Sequence, residues 1–204
     1  MSLTLYHAVP SRSAIVRWML EEIGAPYEVR LIDFKSGENR QPEYLKINPM
    51  GKVPALEHDG VVITEAAAIC CYLADAFPEA RLNVPVNDRR RGPYLKWLFF
   101  GPSCVEPATV EVMLKREPGP RGQVGWGDQE SVLKVLAEAL HEGPWLLGDH
   151  FSAADVVIGS GLRWGMMTKA IPEKPEFISY VKRLAERPAL ARAMQKDAEV
   201  MNAR

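Results

Sequence analysis

Between Asn48 and Leu73 the chain carries three devices in succession, and few folds accommodate all three. Gly51-Lys52-Val53-Pro54 is a loop whose closing proline leads straight into an apolar run, Ala55-Leu56. Proline cannot donate to a sheet ladder, so this one must sit at an edge, a bulge or a strand start. X-Pro bonds accept the cis form at modest cost. A cis bond here turns the chain sharply and leaves the N–H and C=O of Val53 to pair with an extended ligand, as an added strand would. Asp59-Gly60 then signals a two-residue hairpin between strands at 53–58 and 61–63. A helix follows from about Thr64-Glu65, its positive end directed at whatever Val53 holds. The product is a small site with backbone pairing for a peptide, an anion pocket at a helix start, and one carboxylate, Glu65, for a cation.

The residues before this stretch supply the rest of an α/β unit. Leu3 to Tyr6 reads as a short buried strand, and residues 7–13 as a loop in which Ser11 or Ser13 can cap the next helix. That helix carries Ile15, Val16, Met19, Leu20 and Ile23 at core-facing intervals and stops at Gly24. Residues 27–32 alternate as a second strand, 35–39 form a polar loop, and 41–47 a short helix. The order is β-α-β-α, then β-β-α, with a parallel start and an antiparallel hairpin at the end.

The second half is helical. The helix after Glu65 stops before Pro78, and 82–88 lacks helical period and contains a proline, which marks a linker. An apolar face of Tyr94, Trp97, Leu98 and Phe100 is broken at Gly101-Pro102 and near Pro107, where a long helix must kink or divide. A Pro/Gly-rich loop at 118–127 precedes an amphipathic helix at 129–141. Ser152 followed by Asp155 is a capping-box signature, and Phe151 can staple onto Val156. Helices at about 155–169, 174–186 and 188–201 close the chain.

Charge excludes some functions. With 25 basic and 26 acidic side chains, the chain has no electrostatic footprint for nucleic acid or an anionic membrane. No apolar stretch approaches the ~20 residues that span a bilayer. Three cysteines, two of them adjacent, make no disulfide framework, which points to a reducing cytoplasm. His7, His58, His141 and His150 show no metal-ligand spacing, so no metal is expected.

The motif Asn48-Pro-Met-Gly-Lys-Val-Pro-Ala-Leu56, followed by Thr64-Glu65 and then Ala68-Ile69, resembles the thioredoxin-like domain of the glutathione S-transferase superfamily, bacterial and cytosolic type. Residues 144–155 resemble the capping element of that family's helical domain. The resemblance spans nearly the whole chain. It implies an α/β thioredoxin-like N-terminal domain at 1–81, a linker at 82–88 and an all-α helical C-terminal domain at 89–204. It also implies a homodimer, and attack of a glutathione thiolate on a small hydrophobic electrophile, as in detoxification. A zwitterionic γ-glutamyl group fits the site described above.

In this family a Tyr, Ser or Cys near the end of the first strand stabilises the thiolate. A free thiol has a pKa near ~8.5, so such a donor raises the reactive fraction at pH 7. The candidates here are Ser11, Ser13 and Tyr6, with Ser11 best placed between Pro10 and the helix. No cysteine lies in this loop, which disfavours a Cys-type enzyme. For glutathione itself the candidates are Lys52, Val53, Pro54, Glu65 and Ala66. Each has a plainer reading: Ser11 or Ser13 as a helix cap, Tyr6 as sheet core, Lys52 as a solvated loop residue, Glu65 as a carboxylate favoured by the helix dipole. Ala66 stands where the family usually has Ser; one hydrogen bond is lost, on the order of 0.5–1.5 kcal/mol or up to about tenfold in affinity. Cys70, Cys71 and Cys104 read as structural, and Trp97, Phe99, Phe100 and Trp164 as core. Two other functions stay open: a non-catalytic binding or scaffold protein on the same fold, and a glutathione-dependent disulfide reductase or isomerase.

Overall fold

In the computed structural model, which describes residues 2–203, the first elements are β1 (Leu3–His7), α1 (Ser13–Ile23), β2 (Glu28–Leu31), α2 (Pro42–Leu45), β3 (Ala55–His58), β4 (Val61–Thr64) and α3 (Ala66–Ala76). The four strands form one sheet in the order β2-β1-β3-β4. β1 and β2 are parallel because α1 carries the chain back between them, and the other pairs are antiparallel. The hairpin turn uses positive φ at both Asp59 (48°) and Gly60 (83°), the twist that suits a two-residue connection. Gly24 ends α1 at φ 73°, its N–H bonding the Leu20 carbonyl at 3.0 Å. This is the thioredoxin-like arrangement expected from the chain's periodicity.

Side chains alternate across β1. Tyr6 enters one buried cluster with Ala8, Ile32, Tyr44, Val53 and Ala55, whereas Leu5 and His7 take the opposite side of the strand and are also fully buried.

By packing, the chain divides into two compact units: residues up to Ala80 together with those from Arg187 onward, and Arg81–Glu186. The last helix, α9 (Pro188–Asn202), follows the helical region in chain order yet packs on α1. Ala189, Leu190 and Ala193 form its buried face. Arg187 grips Glu22 through two bonds of 2.6 and 2.7 Å. Arg192 and Lys196 both bond Glu21. Amphipathic spacing predicted this helix but carried no information about which surface it would cover.

The other unit contains α4 (Arg91–Phe100), α5 (Glu106–Met113), α6 (Gln129–His141), α7 (Ala153–Met167) and α8 (Pro175–Ala185). At the expected break after Phe100 the chain makes a π-helical turn, Gly101–Val105, instead of a sharp stop. A Cβ at Gly101 would lie 2.8 Å from Val157 Cγ1, so glycine allows this turn to lie against α7. Residues 82–88 are well anchored: Leu82 and Val84 are buried, and the Leu82 carbonyl accepts the Ala153 N–H at 2.9 Å. α7 opens on the expected capping box, with Asp155 Oδ2 accepting the Ser152 N–H at 2.9 Å. The Phe151 ring packs edge-on against Trp145, centroids 4.9 Å apart.

Candidate functional site

The strand registers gather the motif residues at one end of the sheet. Tyr6 pairs with Ala55, and Ala55 pairs with Thr64. The loop leaving β1, the Val53-Pro54 step entering β3 and Glu65 leaving β4 therefore lie on three adjacent strand ends, about 4.8 Å apart per strand. Val53 precedes the first paired residue of β3, so its backbone lies outside the ladder. The Val53-Pro54 bond is cis, as is Val9-Pro10.

The loop before Val53 is held from below. Tyr44 Oη and Asn48 Nδ2 both donate to the Lys52 carbonyl, at 2.6 and 2.8 Å. Asn39 Nδ2 donates to the Gly51 carbonyl at 2.8 Å. Gly51 has φ 61°, and a Cβ there would stand 2.7 Å from the Asn39 carbonyl oxygen, so only glycine fits. Burial pushes the Tyr44 phenol up to about 12, which keeps it a neutral donor. The Lys52 side chain is exposed above this cradle.

Glu65 has φ 68° and ψ 115°, a conformation outside the allowed regions for a residue with a Cβ. Such a conformation costs on the order of 1–3 kcal/mol and persists where the surroundings over-determine it, often at ligand sites. Its carbonyl accepts the Ile69 N–H at 2.9 Å, which starts α3, and its side chain is exposed. Ala66 is the first residue of α3, so its backbone N–H is one of the donors that a helix start leaves for a ligand.

The three hydroxyl candidates separate. Ser11 Oγ and Ser13 Oγ lie 2.6 Å apart. Ser11 Oγ donates to the Ala8 carbonyl at 2.7 Å and accepts the Ser13 N–H at 3.1 Å. The N-cap of α1 is Arg12, with no side-chain cap bond, and Ser13 is the first helical residue, so neither serine is the N-cap expected from the sequence. Ser13 is fully buried and Ser11 partly open. Tyr6 stands apart from this pair: its hydroxyl donates to Glu57 Oε2 at 2.9 Å. Burial, and then the Glu57 carboxylate, raise its pKa, which makes the phenol a weaker acid.

Two residues that the sequence reading did not single out complete the serine pair. Ser13 Oγ is 2.7 Å from His7 Nδ1, and His7 Nε2 is 3.1 Å from Asp197 Oδ1 on α9. Arg17 Nη1 donates to the same carboxylate oxygen at 2.6 Å. The sequence reading placed His7 and Ser13 in one loop without pairing them, whereas His7 is the last residue of β1 and Ser13 the first of α1; nothing in the sequence pointed to Asp197. Cys70 is fully buried and its thiol is pushed up by burial, as is that of Cys104. Among the described residues, no group of three or more His, Cys, Asp or Glu side chains is placed to hold a metal ion. No helix among them is long and apolar enough to cross a membrane.

Comparison with known proteins agrees with this geometry. Residues 1–75 match the model for the glutathione S-transferase N-terminal domain, and residues 128–197 match one for the C-terminal domain. Glutathione S-transferase GstA of Escherichia coli O157:H7 is 30% identical over 181 residues, covering 87% of this chain and 90% of that one. The chain belongs to the glutathione S-transferase family. Within it, the disulfide-bond oxidoreductase YfcG of Escherichia coli K12 is 27% identical over 213 residues, 94% of each chain. A glutathione transferase family member from Pseudomonas fluorescens Pf-5, solved with two glutathione bound, superposes with a TM-score of 0.81 at 25% identity, over 94% of this chain and 92% of that one. As in the family pattern, the glutathione S-transferase fold here joins a mixed four-stranded α/β region to a helical region.

Proposed function

We propose that this protein is a glutathione transferase that promotes attack of the glutathione thiolate on a small hydrophobic electrophile. The backbone of Val53 pairs with the peptide, with Pro54 shaping the turn. Glu65 takes the γ-glutamyl ammonium, the Ala66 N–H its carboxylate, and Lys52 the glycyl carboxylate. Ser11 donates to the sulfur. The observation that carries this reading is the strained, exposed Glu65 at the head of α3, two strand ends from the Ser11 loop. Bound glutathione in the Pseudomonas relative supports it. The reading includes domains at 1–81 and 89–204 with 82–88 as linker, a cytoplasmic homodimer, and no metal.

The test is calorimetry with glutathione on the wild type and Glu65→Ala. Micromolar to low-millimolar binding, abolished by the substitution, is the expected result. Absence of binding at tens of millimolar would overturn it in favour of the scaffold reading. The relative named as a disulfide-bond oxidoreductase favours a second reading, glutathione-dependent disulfide reduction at the same site. Turnover of a small disulfide but not of a halogenated nitroarene would select it.

A further inference from the structure

The hydrogen bonds that begin at Ser11 do not stop at the helix start. They run from Ser11 Oγ to Ser13 Oγ (2.6 Å), to His7 Nδ1 (2.7 Å), and from His7 Nε2 to Asp197 Oδ1 (3.1 Å). His7 and Ser13 are fully buried, so the partly open Ser11 is the end of the chain that faces the site. A carboxylate oxygen only accepts, so Nε2 carries a proton, and in the neutral ring the lone pair of Nδ1 faces Ser13. Among the described residues, the charged groups at the ring include Asp197 from α9 and Arg17 from α1, which are bonded to each other at 2.6 Å. Tyr27, just before β2, lies within electrostatic reach of both. On the β2 side the Ile32 N–H bonds the His7 carbonyl at 2.8 Å.

Resting on the glutathione reading above, we propose that this chain is a proton relay in which His7, positioned by Asp197, takes the thiol proton through Ser11 and Ser13. With neutral His7, Ser13 donates to Nδ1, and the Ser11 O–H, which rests on the Ala8 carbonyl at 2.7 Å, turns to Ser13 Oγ 2.6 Å away for the transfer. The thiol S–H bond breaks and its proton goes to Ser11 Oγ. Ser11 passes its own proton to Ser13, and Ser13 passes its own to Nδ1, where a new N–H bond forms. The electron pair stays on sulfur. The net change is thiol plus imidazole to thiolate plus imidazolium, with the imidazolium between Ser13 and the Asp197 carboxylate. Both hydroxyls now point outward, so the same transfer turns the Ser11 O–H into a hydrogen-bond donor to the thiolate. His7, Ser13 and Asp197 act through Ser11 and are positioning residues.

A merely structural network would tie the β1 loop to α9 without storing a proton, and proton counting separates the two. Glutathione binding is followed at about pH 8, above the ordinary histidine value of ~6.5. Thiolate is read by its ultraviolet absorbance, and protons released by calorimetry in buffers of different ionisation enthalpy. The relay predicts thiolate formation in the wild type with almost no proton released. Thiolate accompanied by release of about one proton, or glutathione bound wholly as thiol, would overturn it. His7→Gln keeps the polar contacts but cannot take the proton; its thiolate should appear only at higher pH, with kcat/KM about 100-fold lower, the scale of general-base catalysis, and Kd for glutathione within twofold. Ser13→Ala, which cuts the chain while keeping the imidazole and its Asp197 contact, should shift the pH profile the same way, and an unmoved profile in either folded variant would overturn the relay. Failure of glutathione to bind the wild type at all is distinguishable, because it removes the parent reading as well.

Discussion

Two carboxylates organise the two packing units, and they do so in opposite ways. Asp155 is fully buried in the helical unit and collects donors from nearby in the chain: the Ser152 N–H at 2.9 Å, the Leu146 N–H at 3.0 Å and Tyr180 Oη at 2.9 Å. Burial raises its pKa in spite of those donors. Asp197 joins partners from the other end of the chain, His7 and Arg17, separated from it by 190 and 180 residues. One carboxylate starts a helix; the other closes a contact between the first and last helices of its unit and continues into the candidate site. A local network serves stability, and a long-range one is available for chemistry.

The largest expected effect tests the first half of that contrast. Asp155→Ala removes the acceptor of four buried donors at once, the Ser152 hydroxyl at 3.2 Å included, each worth ~1–3 kcal/mol when left unsatisfied, so urea unfolding should show a loss of about 4 kcal/mol. Asp197→Asn should cost less than about 2 kcal/mol in the same experiment, since its side chain stays partly open, while kcat/KM falls at least tenfold. Equal stability losses in the two variants would erase the distinction.

The α1–α9 contact sharpens it through pH. Burial pushes the Glu21 carboxyl up, but hydrogen bonds from Lys196, Tyr27 and Arg192 outweigh this and leave its pKa lowered. A lowered folded-state value means the stabilisation is complete above the unfolded value, ~4.3, and is lost as pH falls through the folded one. Glu21→Gln should therefore lower stability at pH 7 by about 2 kcal/mol, between the values for exposed and buried pairs. It should also flatten the decline below about pH 4.3 in thermal melts.

Next come the hydroxyls. Ser11→Ala should reduce kcat/KM by about 100-fold, the lower end of the effect of losing one donor to a developing anion. Tyr6→Phe should change it less than twofold and cost about 1 kcal/mol of stability, because its hydroxyl is committed to Glu57. The reverse pattern would move the site to Tyr6. The smallest effect is a gain: Ala66→Ser should tighten glutathione binding by up to about tenfold in calorimetry, the worth of one restored hydrogen bond.

Features written over a few residues were legible before any coordinates. Asp59-Gly60 specified the hairpin through its positive φ values, Gly24 the end of α1, and Ser152 with Asp155 the start of α7. The motif from Asn48 to Ile69 brought Val53, Pro54 and Glu65 to one end of the sheet because antiparallel register follows directly from turn length. The strain at Glu65 could not be read, since backbone conformation at a non-glycine residue leaves no mark on residue type. Nor could the cradle of Tyr44, Asn48 and Asn39 around residues 51–52, or the anchoring of 82–88 by Ala153. The sequence alone determined the order of elements, their ends and the family, all of which depend on short-range stereochemistry and hydrophobic period. Only the tertiary structure decided that α9 packs on α1, and so that Asp197 reaches His7. An amphipathic helix encodes the need to be covered, but its partner is chosen by the shape and charge of surfaces that exist only once the chain has folded.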